Sequence, residues 1–345
     1  MLKENIKNYD LDNLKVKIEQ LGEKKYRAEQ IFSWIYKEHV TSFDEMTNLS
    51  LELREKLKAN FDMHNFNIIT KQESKDGTKK YLFDVLDNNA IESVLMQYKY
   101  GKTICVSSQI GCKMGCKFCA STGVKFARSL EAGEIVEQLL AIERDENIKI
   151  SNLVFMGIGE PLDNFDNVMK AIKILNNPKG INMGARHISI STSGLVPKIY
   201  ELADRNIQCT LSISLHSAKD EKRSQMMPIN KTYDIAQLME ACRYYINKTN
   251  RRISFEYALA KDNNDNLDDA ESLSKLLKGM LCHVNLIPIN KIENGKYAKS
   301  TNENIIKFRD YLNSKGIVAT IRRELGSDID AACGQLRKKE VSKWR

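Results

Sequence analysis

The stretch Thr103-Ile-Cys-Val-Ser-Ser-Gln-Ile-Gly-Cys-Lys-Met-Gly-Cys-Lys-Phe-Cys119 decides the reading of the fold. It opens on a short apolar run, Thr103 to Val106, and passes into a loop with Cys112, Cys116 and Cys119 in Cys-x-x-x-Cys-x-x-Cys spacing. From there short apolar runs alternate with longer amphipathic ones to the end of the chain. Asn152 to Met156, His187 to Ser191, Thr210 to Leu215, Arg252 to Leu259 and Val284 to Ile289 read as strands, with Val318 to Arg322 as a further one. Ala132 to Glu143, Asp166 to Leu175, Tyr233 to Asn247, Leu267 to Leu277 and Asn302 to Asn313 carry the helical period. Repeated βα units favour a parallel sheet with helices outside, because crossovers are right-handed. The fold class is therefore α/β, and six or so units make either an open doubly wound sheet or a partial barrel. Periodicity does not choose between them. In both, ligands sit at the C-terminal ends of the strands.

Upstream, residues 1–64 read as a separate helical module. Asp10 and Asp12 can cap a helix ending near Gly22, Ala28, Ile31, Phe32 and Ile35 form the apolar stripe of the next, and Ser50 can cap a third. Residues 65–101 change to the strand period, with Asp76-Gly77 and Asp87-Asn88-Asn89 as turns between Asn67 to Gln72, Lys80 to Val85 and Ile91 to Tyr98. A small antiparallel β extension is expected there, bridging to a barrel over residues 102–336 and a basic tail over 337–345. With 345 residues, 42% hydrophobic and 28% charged, the chain supports one large domain and a small accessory one. No run of about 18 apolar residues suggests a membrane span, and Met1 to Asn5 lacks the apolar run of a secretory signal. A cytoplasmic, membrane-free protein is expected. Its eight cysteines then point to metal or thiol chemistry rather than to a disulfide framework. A net charge of +8 suits a polyanionic partner, though a lysine-rich composition alone gives the same number.

Three thiolates this close can hold three corners of a cuboidal 4Fe-4S cluster, which normally takes four protein ligands. The fourth iron is then open to chelate S-adenosylmethionine (SAM), and one delivered electron cleaves its sulfonium to a 5'-deoxyadenosyl radical. The competing reading is zinc, which asks for a fourth Cys or His; the nearest are Cys105 upstream and His187 far downstream. Phe155-Met-Gly-Ile-Gly-Glu-Pro161 is a glycine-rich turn in which Glu160 can receive an ammonium group. Ser189-Ile-Ser-Thr-Ser-Gly194, Ser212-Ile-Ser-Leu-His-Ser217 and Asn290 end other strands with polar groups. Cys333, among small residues in Asp328-Ile-Asp-Ala-Ala-Cys-Gly-Gln-Leu336, is either a reactive thiol or a plain loop cysteine.

Together with Cys105-Val-Ser-Ser-Gln-Ile-Gly-Cys112, Gly157-Ile-Gly-Glu-Pro-Leu162, Ser214-Leu-His-Ser217 and Met227-Pro-Ile-Asn230, these motifs resemble the RlmN/Cfr family of radical SAM RNA methyltransferases over nearly the whole chain. The resemblance implies a partial (βα)6 barrel with a helical accessory domain. It implies methylation of adenine in 23S rRNA near the peptidyl-transferase centre and, for the RlmN branch, of the adenine adjacent to the anticodon in tRNA. By motif, Cys112, Cys116 and Cys119 bind the cluster, and Gly159, Glu160, Ser191, Ser214, Leu215, His216 and Asn290 contact SAM. Cys333 carries the methyl group, Cys105 is its disulfide partner during turnover, and Glu92 accepts a proton.

The implied scheme explains two kinds of cysteine. Adenine carbons are electron-poor and the SAM methyl is an electrophile, so direct displacement has no nucleophile. One SAM methylates Cys333, a second yields the radical that activates the S-methyl group, and Cys105 resolves the resulting protein–RNA link by attacking the Cys333 sulfur. Glu92 lies in Ile91-Glu-Ser-Val-Leu-Met96, apolar on both alternating faces, so its carboxylate is expected to be partly desolvated. With RNA as substrate, Lys15, Lys17, Lys24, Lys25, Arg27, Arg54, Lys56 and Lys58 of the first helices and the tail Arg337 to Arg345 are expected phosphate contacts. An electron donor such as flavodoxin or ferredoxin and a monomeric state complete the expectations. Lys291 after Asn290 and Ser217 depart from the commonest branch patterns, while Cys119-Ala-Ser-Thr122 and Gly159-Glu-Pro-Leu-Asp163 favour carbon 2 over carbon 8. A radical SAM enzyme acting on a protein and a non-enzymatic metal-binding RNA protein are the rivals.

Overall fold

The structure is a computed structural model that describes residues 3–85, 87–123, 125–290, 296–331 and 335. Cys333 and the tail 337–345 lie outside the described residues.

The N-terminal module holds α1 (Leu11–Gln20), α2 (Tyr26–Tyr36) and α3 (Leu51–Asn60), closed by a two-residue parallel pairing of β1 (Glu4–Asn5) with β2 (Phe61–Asp62). The caps follow the sequence reading: the Asp10 carboxylate accepts from the Asp12 and Asn13 N–H groups, and Ser50 Oγ from Leu53 N. Ala28, Ile31, Phe32 and Ile35 are all buried. The expected cationic face is not present as such. Over residues 1–64 eleven Lys and Arg stand against twelve Asp and Glu. Lys15 pairs with Glu29, Lys17 with Glu4, Lys25 with Glu19, Lys56 with Glu23 and Glu52, and Lys58 with Asp44 and Glu55. Lysines spaced along a helix were legible; the acids that neutralise them come from other turns of the module.

The antiparallel extension is β3 (Asn67–Glu73), β4 (Lys79–Val85) and β5 (Asn89–Tyr98), and β5 continues antiparallel onto β6 (Gly101–Cys105). A short ribbon of β7 (Gln109–Ile110) and β8 (Arg128–Ser129) follows. Six more strands then alternate with helices: β9 (Asn152–Phe155), β10 (Ile188–Thr192), β11 (Thr210–Ser214), β12 (Ile253–Leu259), β13 (Cys282–Pro288) and β14 (Ala319–Ile321). Between them lie α4 (Ala132–Glu146), α5 (Phe165–Asn176), α6 (Val196–Asp204), α7 (Asp220–Met226), α8 (Ile235–Thr249), α9 (Leu267–Leu277) and α10 (Asn302–Ser314). α6 and α7 escaped the sequence reading because each is short, one opening on Val196-Pro197 and the other on a charged run.

Topology settles the choice that periodicity left open. The parallel strands run β6-β9-β10-β11-β12-β13-β14 in chain order with no reversal, so every crossover helix lies on one side and the sheet curves as a partial barrel. Side chains confirm the two faces. Ile188, Ile190, Leu211, Ile213, Ile253, Phe255, Val284 and Leu286 are buried toward the helices. The concave face carries polar rungs in register: Ser191 beside Ser212, Ser212 beside Ser254, Ser214 beside Glu256, Glu256 beside Asn285. Cavities therefore lie inside the curve, not within the apolar core.

The module is locked to α4 by a buried charge. Lys7 Nζ reaches Glu137 Oε2 at 2.5 Å, His64 O at 3.0 Å and Asn65 Oδ1 at 2.8 Å, while Arg144 caps the other Glu137 oxygen. Burial pushes the Lys7 ammonium down and Glu137 opposes that. Asn8 Oδ1 accepts from Gly133 N at 2.9 Å, and a Cβ at Gly133 would stand 2.9 Å from the Lys7 backbone. Among the described residues no helix is long and apolar enough to cross a membrane. Because removing one partner of a buried pair strands the other, Lys7→Ala is expected to destabilise the fold by about 3 kcal/mol. Urea unfolding reads this, and an unchanged midpoint would show that the pair does not hold the module.

Candidate active site

Two loops at the top of the barrel interlock through close backbone approach. A Cβ on Gly157 would stand 2.6 Å from Val106 O, and one on Gly159 2.6 Å from Gln109 Cβ. Gly159 also has φ +107, a conformation that side chains rarely tolerate. Only glycine lets the Gly157-to-Pro161 turn lie against Val106–Gln109. Polar groups fix the contact: Ser107 Oγ accepts from Ile158 N at 3.0 Å and donates to Glu92 O at 2.7 Å, and Gln109 Oε1 accepts from Glu160 N at 2.9 Å.

The cysteine loop is bracketed by the β7–β8 ribbon, which brings its two ends together. Inside it, Cys119 N donates to Cys116 O at 3.2 Å, Thr122 Oγ1 to the same carbonyl at 2.8 Å, and Lys117 N to Met226 O at 2.9 Å. The three cysteines line one cleft with Gly157, Gly159, Glu160, Ser191, Ser214, His216 and Asn290. Burial pushes the Cys112 thiol up to about 11 and the Cys116 thiol higher still, each also raised by the Cys119 charge. Among the described residues no three His, Cys, Asp or Glu side chains converge on one ion. Three soft donors around a shared space suit a cluster with separated corners better than a single zinc ion.

Glu160 is the anionic wall of the cleft. Its Oε2 accepts from Ser193 N at 2.7 Å and its Oε1 from Leu162 N at 3.0 Å, yet burial still pushes its carboxyl up. A ligand ammonium would compensate that burial. Opposite stands His216, with φ +57 and its ring edge-on to Phe118 at 4.6 Å. Ala258 N donates to His216 Nδ1 at 2.9 Å, so Nε2 carries the proton. Burial, aided by the Arg223 charge, pushes the His216 imidazole down to about 3. Leu215 is different from its neighbours: its side chain is in the core, its N–H donates to Glu256 O and its carbonyl accepts from Arg223. It is not a lining residue of the cleft.

Arg223 is the residue that the sequence reading missed most clearly. It is fully buried and donates to Leu215 O, Asn230 Oδ1, Ser193 O and Ser214 O, tying three loops together. Nothing in a charged run around Asp220 to Arg223 distinguishes it. Met227-Pro-Ile-Asn230, noted as a motif without a role, supplies the Arg223 acceptor. Glu256 and Arg322 also line the cleft, with Glu256 bonded to Asn285 at 2.9 Å and Ser254 at 3.0 Å and lying 3.7 Å from Arg322. The alternation Ser254, Glu256, Ala258 inside an apolar strand was the available signal for Glu256.

Cys105 lines an adjoining cavity with Val94, Met96, Leu325 and Ala331; Met156, Ile287, Asn290 and Arg322 are common to both cavities. Glu92 lies on the same face of β5 as Val94, whose register partner is Cys105, but it does not line either cavity. Its strand is covered on both faces, and Lys80 Nζ stands 3.5 Å from its carboxylate.

Two outcomes test this geometry. Gly159→Ala forces a strained φ and a clash with Gln109, at about 1–3 kcal/mol, and is expected to weaken SAM binding by tenfold or more in equilibrium dialysis. Wild-type affinity would show that the turn is not a tight cradle. The His216 ring is expected to stay neutral with one tautomer from about pH 5 to pH 9, giving flat nitrogen chemical shifts; a midpoint near 6 would contradict its burial.

Residues 4–63 match the model of the ribosomal RNA large subunit methyltransferase N-terminal domain, and residues 106–273 that of the radical SAM superfamily. A probable dual-specificity RNA methyltransferase RlmN of Clostridium novyi (strain NT) is 53% identical over 338 residues, 98% of each chain. Its counterpart in Bacillus velezensis is 51% identical over 339 residues, 97% of this chain and 93% of its own. The crystal structure of a radical SAM methyltransferase from Sphaerobacter thermophilus superposes with a TM-score of 0.93 at 41% identity, covering 97% of this chain and 99% of that one. With a relative this similar over almost its full length and a superposable barrel, the chain belongs to the RlmN family of radical SAM RNA methyltransferases.

Proposed function

We propose that the chain methylates carbon 2 of adenine in 23S rRNA, in the peptidyl-transferase region, and of the adenine adjacent to the anticodon in tRNA, through an S-methylcysteine at Cys333. The observation that carries this reading is the adjacency of the two cavities: Cys105 lines a space that shares Met156, Ile287, Asn290 and Arg322 with the three-cysteine cleft. Relatives named as dual-specificity RNA methyltransferases supply the substrate class.

The radical SAM class works with a 4Fe-4S cluster and SAM, and the cleft's donor set fits both. When bound, they supply a methyl group and a radical able to take a hydrogen atom. Cys112, Cys116 and Cys119 would hold the cluster. Glu160 would receive the SAM ammonium, the His216 Nε2–H would donate a hydrogen bond, and Gly159, Ser191, Ser214 and Asn290 would complete the contacts. Leu215 would take part only through its own backbone, since its side chain is in the core. Cys333 is the methyl-carrying nucleophile, Glu92 the acceptor of the ring proton, and Cys105 the thiol that attacks Cys333 sulfur to release the methylated base. Glu92 must be reached by rearrangement or through water, because its carboxylate does not line the cavity.

In this reading residues 1–64 and the basic tail 337–345 contact RNA outside the reacting base, with the tail supplying the cationic component that the first module lacks. The protein acts as a cytoplasmic monomer supplied with electrons by a flavodoxin or ferredoxin. Mass spectrometry of adenosines in 23S rRNA and tRNA, from cells with and without the gene, tests the assignment. Loss of 2-methyladenosine from both RNAs is expected. An unchanged profile defeats the proposal, and a methyl group at carbon 8 reassigns the branch.

A further inference from the structure

The turn between β3 and β4 makes three hydrogen bonds to the segment that follows β14. Asp76 Oδ2 accepts from Gly326 N at 2.9 Å. In the opposite direction, Asp328 Oδ1 accepts from Ser74 Oγ at 2.5 Å and Asp328 Oδ2 from Lys75 N at 3.2 Å. Each side thus lends one carboxylate to the other. Both halves are braced internally. Ser74 N donates to Thr78 O at 2.8 Å and Thr78 N to Asp76 Oδ1 at 2.9 Å; across from them, Ala331 N donates to Gly326 O at 2.9 Å. Gly326 has φ +63, and a Cβ there would stand 2.8 Å from Ala331 Cβ and 2.9 Å from Thr78 Cγ2. Gly326 thus lets its segment lie against the Thr78 side chain, with no room for a side chain of its own.

What the contact holds is specific. Leu325 and Ala331 pack with Val94, Met96, Cys105 and Ile158 in one cluster, separate from the main core, and form a wall of the Cys105 cavity. Ser74 and Thr78 are buried beneath the contact, whereas both aspartates reach solvent, so the carboxylates add little to core packing. Their contribution is directional: they choose where the wall stands.

We propose that Ser74–Thr78 and Gly326–Ala331 form a reciprocal clasp, and that Asp76 and Asp328 are positioning residues which hold the wall of the Cys105 cavity closed. Cys333 follows this wall by two residues in the sequence. The consequence for turnover rests on the reading of Cys333 as the methyl carrier; the closed wall itself does not. The antiparallel extension is then a reference frame for the end of the chain as well as a bridge from the helical module.

The test is alkylation of Cys105 by N-ethylmaleimide, followed by peptide mass spectrometry, on the full chain without added cofactors. Loss of charged hydrogen-bond acceptors raises local opening by about tenfold for each carboxylate removed. Asp76→Ala and Asp328→Ala are each expected to speed Cys105 labelling by about that factor, while the core thiols Cys209 and Cys242 keep their slow rates. Asp328→Asn, which keeps an acceptor oxygen for Ser74, is expected to restore most of the protection. Unchanged Cys105 labelling overturns the clasp. Equal acceleration of all three cysteines overturns it too, because the loss would then be global.

With SAM, reductant and RNA, the alanine variants are expected to release about tenfold more 5'-deoxyadenosine per methylated adenosine than wild type. A constant ratio denies the positioning role. Cys333→Ser separates this from the reaction scheme: if it still methylates RNA, the methyl-carrier reading fails while the labelling result continues to decide the clasp.

Discussion

The active cleft depends on backbone meeting backbone. A cysteine loop can present three thiols to one space only if the loop beside it approaches closely enough to bring a carboxylate to the other wall. The absent Cβ atoms of Gly157 and Gly159 permit that approach, and Ser107 and Gln109 satisfy the amide groups it buries. Displacing the turn by the width of a methyl group separates Glu160 from the cysteines and strands buried N–H groups at once. Most of the surrounding architecture serves this contact: α4 lies behind it, and Gln138 bonds both Ser93 and Ser107 there.

The concave face shows a second constraint. Ordinary sheets bury apolar side chains on both faces when helices cover them, but here one face must remain polar to hold ligands. Serines, Glu256 and Asn285 therefore stand in register along neighbouring strands, and the main apolar core lies on the convex side. Burying charge inside such a space is tolerable only with partners. Arg223 finds four acceptors, Glu256 finds Asn285 and Ser254, and Glu160 accepts two backbone N–H groups. His216 avoids the problem by staying neutral. A cleft built in this way discriminates by geometry, because each charged group is already oriented before a ligand arrives.

Much of this was legible in the sequence because it obeys local rules. Strand and helix periods recovered the βα succession, Asp10 and Ser50 marked helix starts, and the Cys-x-x-x-Cys-x-x-Cys spacing pointed to the radical SAM class. Whatever depended on distant partners was not legible. The lysines of the first helices looked cationic because several of their acidic partners, Glu4, Glu23, Glu29 and Asp44, sit on other elements. Arg223 looked like one charge among several, although it is the most deeply buried of them. Doubly wound and barrel sheets share one period, and only the strand order separated them. Leu215 stands among the residues that the resemblance assigns to SAM, while strand alternation turns its side chain into the core.

The antiparallel extension gains a reason from the same argument. Its last strand, β5, carries Glu92 and sets Val94 beside Cys105, and its first turn holds Gly326 and Asp328. A carboxylate, a thiol and the segment leading to a second thiol are thus referred to one three-stranded element. Each of these groups comes from a different part of the chain, and a flexible linker to any of them would spread its position over several ångströms. Hydrogen-bonded strand register removes that freedom, since a slip of one residue would turn Glu92 and Val94 to the opposite face. The extension is continuous with the barrel sheet through β6, so the positions it fixes are fixed relative to the cysteine cleft as well. Under the proposed transfer of a carbon unit between sulfur and a base, such a shared frame matters more than any additional reactive group.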